Sequence, residues 1–130
     1  MDHTIVHFEI PAVDVGKLKT FYEGLFGWKI FKAPMGGTEY WLIHTVPIDE
    51  KGMPLKPGVN GGLVQKQPQQ EGIKQVNYIT IESIDESLKK VEKLGGKILV
   101  PKQQVPTVGW IAVAVDPEGN QFGLLQPEQM

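Results

Sequence analysis

The sequence predicts an α+β fold made of two βαβββ modules in one chain, which form an open, curved mixed sheet around a cavity. Three observations support this prediction. Apolar residues alternate in short runs typical of strands, two amphipathic stretches carry helix caps, and the same order of elements occurs twice. The modules span about residues 3–66 and 76–127 of a single 130-residue domain.

The first module begins with a strand, continues with a capped helix and ends with three further strands. In the first strand, polar His7 and Glu9 alternate with apolar residues, which leaves one polar face. Asp14 is placed to cap the helix, and Gly27 is placed to end it. We expect strands at 5–10, 28–32, 39–46 and 61–66, the helix at about 15–26, and a turn at 35–37.

Two further features of the first module concern its helix and its longest connection. The apolar face of the helix is predicted to hold Leu18, Phe21, Tyr22 and Leu25. The segment 47–58 contains three prolines, two glycines and few apolar residues. It is therefore expected to be a mobile loop.

The second module repeats the order of the first. Ser83 and Glu86 form an S-x-x-E capping box for a helix that the glycine pair at 95–96 ends. The Asp-Pro-Glu-Gly segment at 116–119 has proline at the second position of a tight turn, and it joins the last two strands. We expect strands at 76–82, 97–100, 110–115 and 121–126.

The modules also match in sequence, which favours an internal duplication. Residues 25–30 parallel residues 93–98, and residues 60–65 parallel residues 121–126. In each module the helix covers one face of the sheet, so the other face is buried elsewhere or lines a cavity. The uncovered face is too polar for a dry core, and we expect it to form a ligand-binding trough. Its polar residues are His7, Glu9, Tyr78 and Thr80.

Composition and charge exclude several classes of protein. The net charge of −2 and the pI of about 5.9 argue against a nucleic-acid-binding surface. The absence of cysteine excludes disulfides, thiolate nucleophiles and zinc fingers. The longest strongly apolar stretch, 110–115, is far shorter than the ~20 residues of a membrane span. Because the first residues also lack the pattern of a secretory signal, we predict a cytoplasmic protein.

Several motifs together resemble one known family. They are His7, Asp14, the Phe-Tyr pair at 21–22 and the segments 25–28, 94–97 and 116–126. They are similar to the vicinal oxygen chelate superfamily, which includes glyoxalase I, bleomycin-resistance proteins and extradiol dioxygenases. The resemblance covers almost the whole chain. It implies paired βαβββ modules, an open sheet that encloses the site, and a homodimer.

The resemblance also implies a divalent metal, and the sequence departs from the family at this point. In the glyoxalase-like pattern, four ligands come from the first and fourth strands of each module. These positions fall on His7, Gly62, Val76 and Gly123. Valine and glycine have no donor side chain, and one imidazole does not hold a divalent ion against water. We therefore predict no metal and no other cofactor.

Six residues are candidates for the site, each with a structural alternative. His7 and Glu9 are candidates for acid–base catalysis, or for two polar residues bonded into a half-wet sheet. Tyr78 and Trp110 are candidates for stacking on a planar ligand, or for packing. Gln65 and Gln126 are candidates for hydrogen bonds to a ligand, or for solvated residues.

These observations favour a metal-independent protein similar to glyoxalase and bleomycin-resistance proteins. It would bind a small carbonyl-bearing or aromatic molecule in the sheet cavity, and whether it also transforms that molecule is left open. The alternative is a metal-dependent lyase or isomerase of the glyoxalase I kind, or a dioxygenase, with a relocated site of His7, Glu9 and His44. A third hypothesis is an interaction protein whose trough is filled by side chains.

Overall fold

The computed structural model of the chain describes residues 1–33, 40–66, 74–105 and 108–128. This part of the chain contains eight strands and two helices with mixed strand pairing, which confirms the predicted α+β class. The βαβββ order occurs twice. The elements are β1 Ile5–Ala12, α1 Val15–Phe26, β2 Lys29–Lys32, β3 Tyr40–His44, β4 Asn60–Gln65, β5 Val76–Thr80, α2 Ile84–Lys93, β6 Lys97–Val105, β7 Gly109–Val115 and β8 Gln121–Pro127. The turn predicted at 35–37 lies outside the described residues.

The chain divides into two compact units. One, the first-module unit, is His7–Gln75. The other, the second-module unit, combines Met1–Val6 with Val76–Met130. No helix in the described part of the chain is long and apolar enough to cross a membrane.

In the first-module unit, the strands follow the order β2-β3-β4-β1. β1 runs parallel to β4, and β3 pairs antiparallel with both β2 and β4. Helix α1 begins where the Asp14 carboxylate accepts a hydrogen bond from the Lys17 amide, and it ends at Gly27 with φ of 74°. Both limits agree with the prediction.

Helix α1 covers one face of this sheet. Leu18 and Tyr22 pack onto a core of buried side chains, which are Ala12, Val15, Ile30, Ile43 and Leu63. Phe21 and Leu25 were predicted for the same helix face, but they are 55% and 58% exposed. The apolar stripe that contacts the sheet is therefore narrower than the sequence predicted.

In the second-module unit, the strands follow the order β5-β8-β7-β6. β5 runs parallel to β8, and the other two pairs are antiparallel. The Ser83 hydroxyl accepts a hydrogen bond from the Glu86 amide at the start of α2, as the capping box predicts. β6 is longer than predicted and continues through Pro101, which an edge strand tolerates because one side of it needs no donor.

The segment 47–58 contains a small hairpin rather than an irregular loop. Ile48 and Pro54 form an isolated antiparallel bridge. The Asp49 carboxylate accepts hydrogen bonds from the backbone amides of Lys51 and Met53, at 2.8 and 3.0 Å. This local side-chain bonding is typical of aspartate in turns, and it gives the segment a defined conformation.

The predicted turn between β7 and β8 is organised by one carboxylate. Asp116 Oδ1 accepts hydrogen bonds from the backbone amides of Glu118 and Asn120, and its Oδ2 accepts one from the Asn120 side chain, each at 2.9 Å. The side-chain and backbone bonds from Asn120 hold the pKa of Asp116 below its usual value. Gly119 completes the turn at φ of 87°.

Replacement of Asp116 by alanine should lower the free energy of unfolding at about pH 7, because the turn amides lose an anionic acceptor. A lowered folded-state pKa contributes stability above the unfolded value of 3.8, and this stability is lost as the pH falls through the folded value. The difference between wild type and Asp116→Ala in urea unfolding should therefore shrink at about pH 2. Glu118→Ala, which removes a neighbouring exposed carboxylate, is the control. An equal deficit of Asp116→Ala at both pH values would contradict the assignment.

Candidate functional site

The side chain of His7 lies on the sheet face opposite helix α1. Its neighbours Phe8 and Ile10 pack into the core under the helix, so the alternation along β1 turns His7 and Glu9 to the other face. His7 Nε2 lies 2.8 Å from the hydroxyl oxygen of Tyr40, within hydrogen-bonding distance. Burial lowers the pKa of His7 from 6.5 to about 4, because a half-buried ring resists charging. The ring is therefore neutral at pH 7.

Tyr40 reaches His7 by crossing β4 at a glycine. A Cβ atom at Gly62 would collide with the hydroxyl and the ring of Tyr40. Glycine in a strand allows close approach to the backbone, and the group that lies over Gly62 is the Tyr40 side chain. Tyr40 was missed as a site residue. The signal that could have found it is its position on β3, from which a long side chain reaches Gly62 diagonally.

Glu9 lies beside this contact. In the pairing of β1 with β4, Glu9 is the partner of Gly62, and His7 is the partner of Asn60. The two predicted catalytic residues are therefore both next to the glycine that the Tyr40 hydroxyl covers. We call this region the His7 face, and it consists of His7, Glu9, Tyr40, Asn60 and Gly62.

Asn60 holds the backbone at the edge of the His7 face. Its Oδ1 accepts hydrogen bonds from the amides of Thr45 and Val46 at 2.7 and 3.0 Å, and its Nδ2 donates to the Val46 carbonyl at 3.2 Å. These bonds anchor the segment that follows β3 to the start of β4. Asn60 therefore shapes the His7 face rather than offering its amide to a ligand.

The relocated metal site of His7, Glu9 and His44 does not form. His44 packs edge-on against the ring of Phe31, with 4.8 Å between the ring centroids, and burial lowers its pKa. Among the residues that the structure describes, no three His, Asp or Glu side chains come together in a way that could hold a metal ion. The described side chains thus do not fit a divalent metal, neither here nor at the family positions in Gly62, Val76 and Gly123.

Tyr78 belongs to the second-module unit and is almost fully buried, with 2% exposure. A Cβ atom at Gly123 would collide with its ring. The ring packs in an apolar cluster with Val76, Val113 and Leu125. Each unit therefore places a tyrosine over the glycine of its fourth strand, but the second-module unit surrounds that tyrosine with apolar side chains. A ring this buried offers no open face for stacking on a ligand. The ligand contact of Tyr78 therefore stays a prediction.

Trp110 does not share a sheet face with Tyr78. It packs against the cluster under helix α2, which includes Ile84 and Leu124. Lys102 Nζ lies 4.6 Å from the centroid of its ring and 3.2 Å from the Asp85 carboxylate. Trp110 and Tyr78, the two candidates for stacking, therefore lie on opposite faces of the sheet, because the alternation of β7 turns Trp110 towards the helix.

Gln65 and Gln126 hold equivalent positions, and both bond to the backbone. Gln65 Nε2 donates to the Val13 carbonyl at 2.9 Å, in the connection between β1 and α1. Gln126 Oε1 accepts from the Ile84 amide at 2.9 Å, at the start of α2. Each side chain thus links the last strand of its module to the start of its helix. This structural role was not among those weighed from the sequence, which were ligand contact and solvation.

Comparison with known proteins agrees with this architecture. Residues 4–124 match the family model of the Glyoxalase/Bleomycin resistance protein/Dioxygenase superfamily. A putative glyoxylase, CFP32, of Mycobacterium tuberculosis is 26% identical over 123 residues, which cover 91% of this chain and 43% of that protein. A glyoxylase-like domain-containing protein of Didymella fabae is 33% identical over 94 residues, which cover 70% of this chain and 67% of that protein. The chain therefore spans less than half the length of the mycobacterial relative.

Solved structures show the same fold at low identity. Methylmalonyl-CoA epimerase from Mycobacterium tuberculosis superposes with a TM-score of 0.68 at 11% identity, over 96% of this chain and 88% of the epimerase. A hypothetical protein from Bacillus halodurans C-125 superposes with a TM-score of 0.68 at 15% identity, over 100% of this chain and 98% of that protein. The family match over most of the chain and the duplicated βαβββ order lead to one conclusion: the chain belongs to the glyoxalase/bleomycin resistance protein/dioxygenase superfamily.

Proposed function

We propose that the protein binds a small carbonyl-bearing or aromatic molecule at the His7 face, without a metal ion. The observation that carries this proposal is the contact of a half-buried, neutral His7 with the Tyr40 hydroxyl, directly beside Glu9. A ligand with polar groups of its own would form hydrogen bonds with side chains of the His7 face.

The difference between the two units supports a site in the first-module unit. On the corresponding face, the second-module unit packs Val76, Tyr78, Val113 and Leu125 into a dry cluster. The first-module unit has histidine, glutamate and asparagine on that face instead. Because the same fold can fill this face with apolar side chains, and because Asn60 is already used to anchor the backbone, His7 and Glu9 are the polar side chains that the packing of the sheet does not account for. A binding role accounts for them.

If the protein also transforms its ligand, we propose that His7 and Glu9 move the proton. Neutral imidazole has one nitrogen that donates and one that accepts, so His7 can relay a proton without gaining charge. Glu9 is the candidate base for a proton next to a carbonyl group. The mycobacterial and fungal relatives carry glyoxylase names, which is consistent with a small carbonyl compound as the ligand.

We also propose that the chain forms a homodimer in the cytoplasm. Helix α1 leaves Phe21, Leu25 and Phe26 more than half exposed, and apolar side chains of this size favour association. The lack of cysteine suits a reducing compartment. The metal-dependent alternative would require a ligand set that the described residues do not bring together.

Binding is testable by thermal shift with the hemithioacetal of methylglyoxal and glutathione, with 2-oxo acids and with catechol. At least one of these should raise the melting temperature, because a ligand at about 100 times its Kd stabilises a protein by about 2.7 kcal/mol. His7→Ala and Glu9→Gln should each weaken that ligand about tenfold or more, whereas His44→Ala should leave its affinity unchanged. A protein that binds none of the compounds, or that binds stoichiometric metal lost in His44→Ala, would refute the proposal.

The neutral state of His7 predicts a pH dependence of folding. With a pKa of about 4 in the folded state and 6.5 in the unfolded state, His7 binds more protons when the chain is unfolded between these values. The free energy of unfolding should therefore fall as the pH drops from about 6.5 towards about 4, by up to about 3 kcal/mol. Urea unfolding across this range measures it, with His7→Gln expected to remove that part of the slope. An imidazole NMR titration of His7 with a midpoint near 6.5 would show the assignment to be wrong.

A further inference from the structure

We propose that Phe31 stacks on an aromatic ring of the ligand, so that the protein binds an elongated aryl compound whose polar group lies at the His7 face. The inference rests on the proposed function, and it names the part of the ligand that extends beyond the polar side chains. It assigns Phe31 as a ligand-binding residue that determines specificity. The residues predicted for such a contact were Tyr78 and Trp110.

Phe31 belongs to a row of residues that crosses the first-module sheet from β1 to β2. The residues paired in register along this row are Glu9, Gly62, Leu42 and Phe31. Residues paired in this way on neighbouring strands point to the same face of a sheet. Because Glu9 and Gly62 are part of the His7 face, the row is continuous with that face and ends at the sheet edge.

The neighbours of Leu42 and Phe31 support this orientation. Trp41 and Ile43, on either side of Leu42, pack into the core under helix α1, and so does Ile30, which precedes Phe31. Side chains alternate between the two faces along a strand. Leu42 and Phe31 therefore point to the face opposite helix α1, on which His7 lies.

The chemistry of the row changes from polar to apolar along its length. The Tyr40 hydroxyl lies over Gly62, next to Glu9. Leu42 is half-buried, and Phe31 is 41% exposed. Strands lie about 4.8 Å apart, so Phe31 is about 10 Å from Gly62 across the sheet. This distance suits a ligand with a polar group at one end and one aromatic ring at the other.

A contact with His44 orients the exposed ring of Phe31. The centroids of the two rings are 4.8 Å apart, and the planes meet at 87°. This edge-to-face arrangement is one of the preferred geometries of aromatic pairs. A ring that is already oriented loses little further entropy when a ligand packs on it, which favours its use for recognition.

The corresponding row of the second-module unit ends differently. Its residues paired in register from β5 to β6 are Tyr78, Gly123, Val113 and Val100. Val113 is buried, and Val100 packs against the same apolar cluster. The fold can therefore end this row with a small, packed side chain, whereas the first-module row ends with a large ring that is partly exposed. Water contact with an aromatic ring costs free energy, and stacking on a ligand would remove that cost.

The inference is tested by calorimetric titration of the full chain with three matched ketones, namely 2-butanone, 4-phenyl-2-butanone and 4-cyclohexyl-2-butanone. They share the carbonyl group, and the last two differ only in whether the ring is aromatic. In Phe31→Leu, which keeps an apolar side chain but removes the ring, the affinity for the phenyl ketone relative to the cyclohexyl ketone should fall about 2- to 10-fold. The affinity for 2-butanone should not change.

Two further variants separate stacking from a general effect of substitution. Phe31→Tyr keeps the aromatic ring and should retain the relative affinity of the wild type for the phenyl ketone. Phe21→Leu makes the same change as Phe31→Leu at a phenylalanine of helix α1 that is 55% exposed, and it should bind all three ketones as the wild type does. An equal relative affinity in wild type and Phe31→Leu would overturn the inference and leave the proposed function standing.

NMR spectra of the wild type with labelled phenylalanine give a second measurement that does not depend on the folding of a variant. The ring signals of Phe31 should shift on addition of 4-phenyl-2-butanone and stay unchanged with 2-butanone. Unchanged Phe31 signals with the phenyl ketone would overturn the inference alone, and so would a wild type that binds one of the thermal-shift compounds but neither ring-bearing ketone. A wild type that binds none of the ketones and none of the thermal-shift compounds would overturn the proposed function as well.

Discussion

The His7 face depends on one constraint, which is that residue 62 is a glycine and has no Cβ atom. It admits the Tyr40 side chain across β4 and brings its hydroxyl to His7. Burial at the same face lowers the pKa of His7 and keeps its ring neutral. A larger residue at this position would break the contact, and the electrostatic character of the face would change with it.

The two units share the same packing contacts but surround them with different side chains. In each, a fourth-strand glycine lies under a tyrosine ring, and a fourth-strand glutamine bonds to the start of the helix region. The shared features maintain the fold. Around Tyr78 the remaining volume is filled by apolar side chains, whereas around Tyr40 the neighbours are His7 and Glu9. The two βαβββ modules thus share their packing contacts, whereas polar side chains lie around the tyrosine of the first-module unit.

The helix caps and the turn were predicted correctly because each depends on hydrogen bonds between residues that are close in the sequence. Asp14 and Ser83 cap helices through bonds to amides three residues away, and Asp116 organises a turn through amides two and four residues away. The alternation of β1 likewise placed His7 and Glu9 on one face. Strand ends differed by one or two residues, and β6 by five, since pairing partners rather than propensity set where a strand ends.

By itself, the sequence determined the order of elements, the caps, the turn at 116–119, the family and the loss of metal-ligand side chains at three of four positions. Tertiary structure decided which polar groups are available to a ligand. Gln65 and Gln126 bond to backbone far along the chain, Trp110 packs under a helix, and Tyr40 reaches His7 across another strand. The hydrogen bonds of Tyr40, Gln65 and Gln126 join residues 33 to 53 positions apart in the chain, and no local periodicity encodes such a distance. They arise only when sheet register brings distant strands side by side.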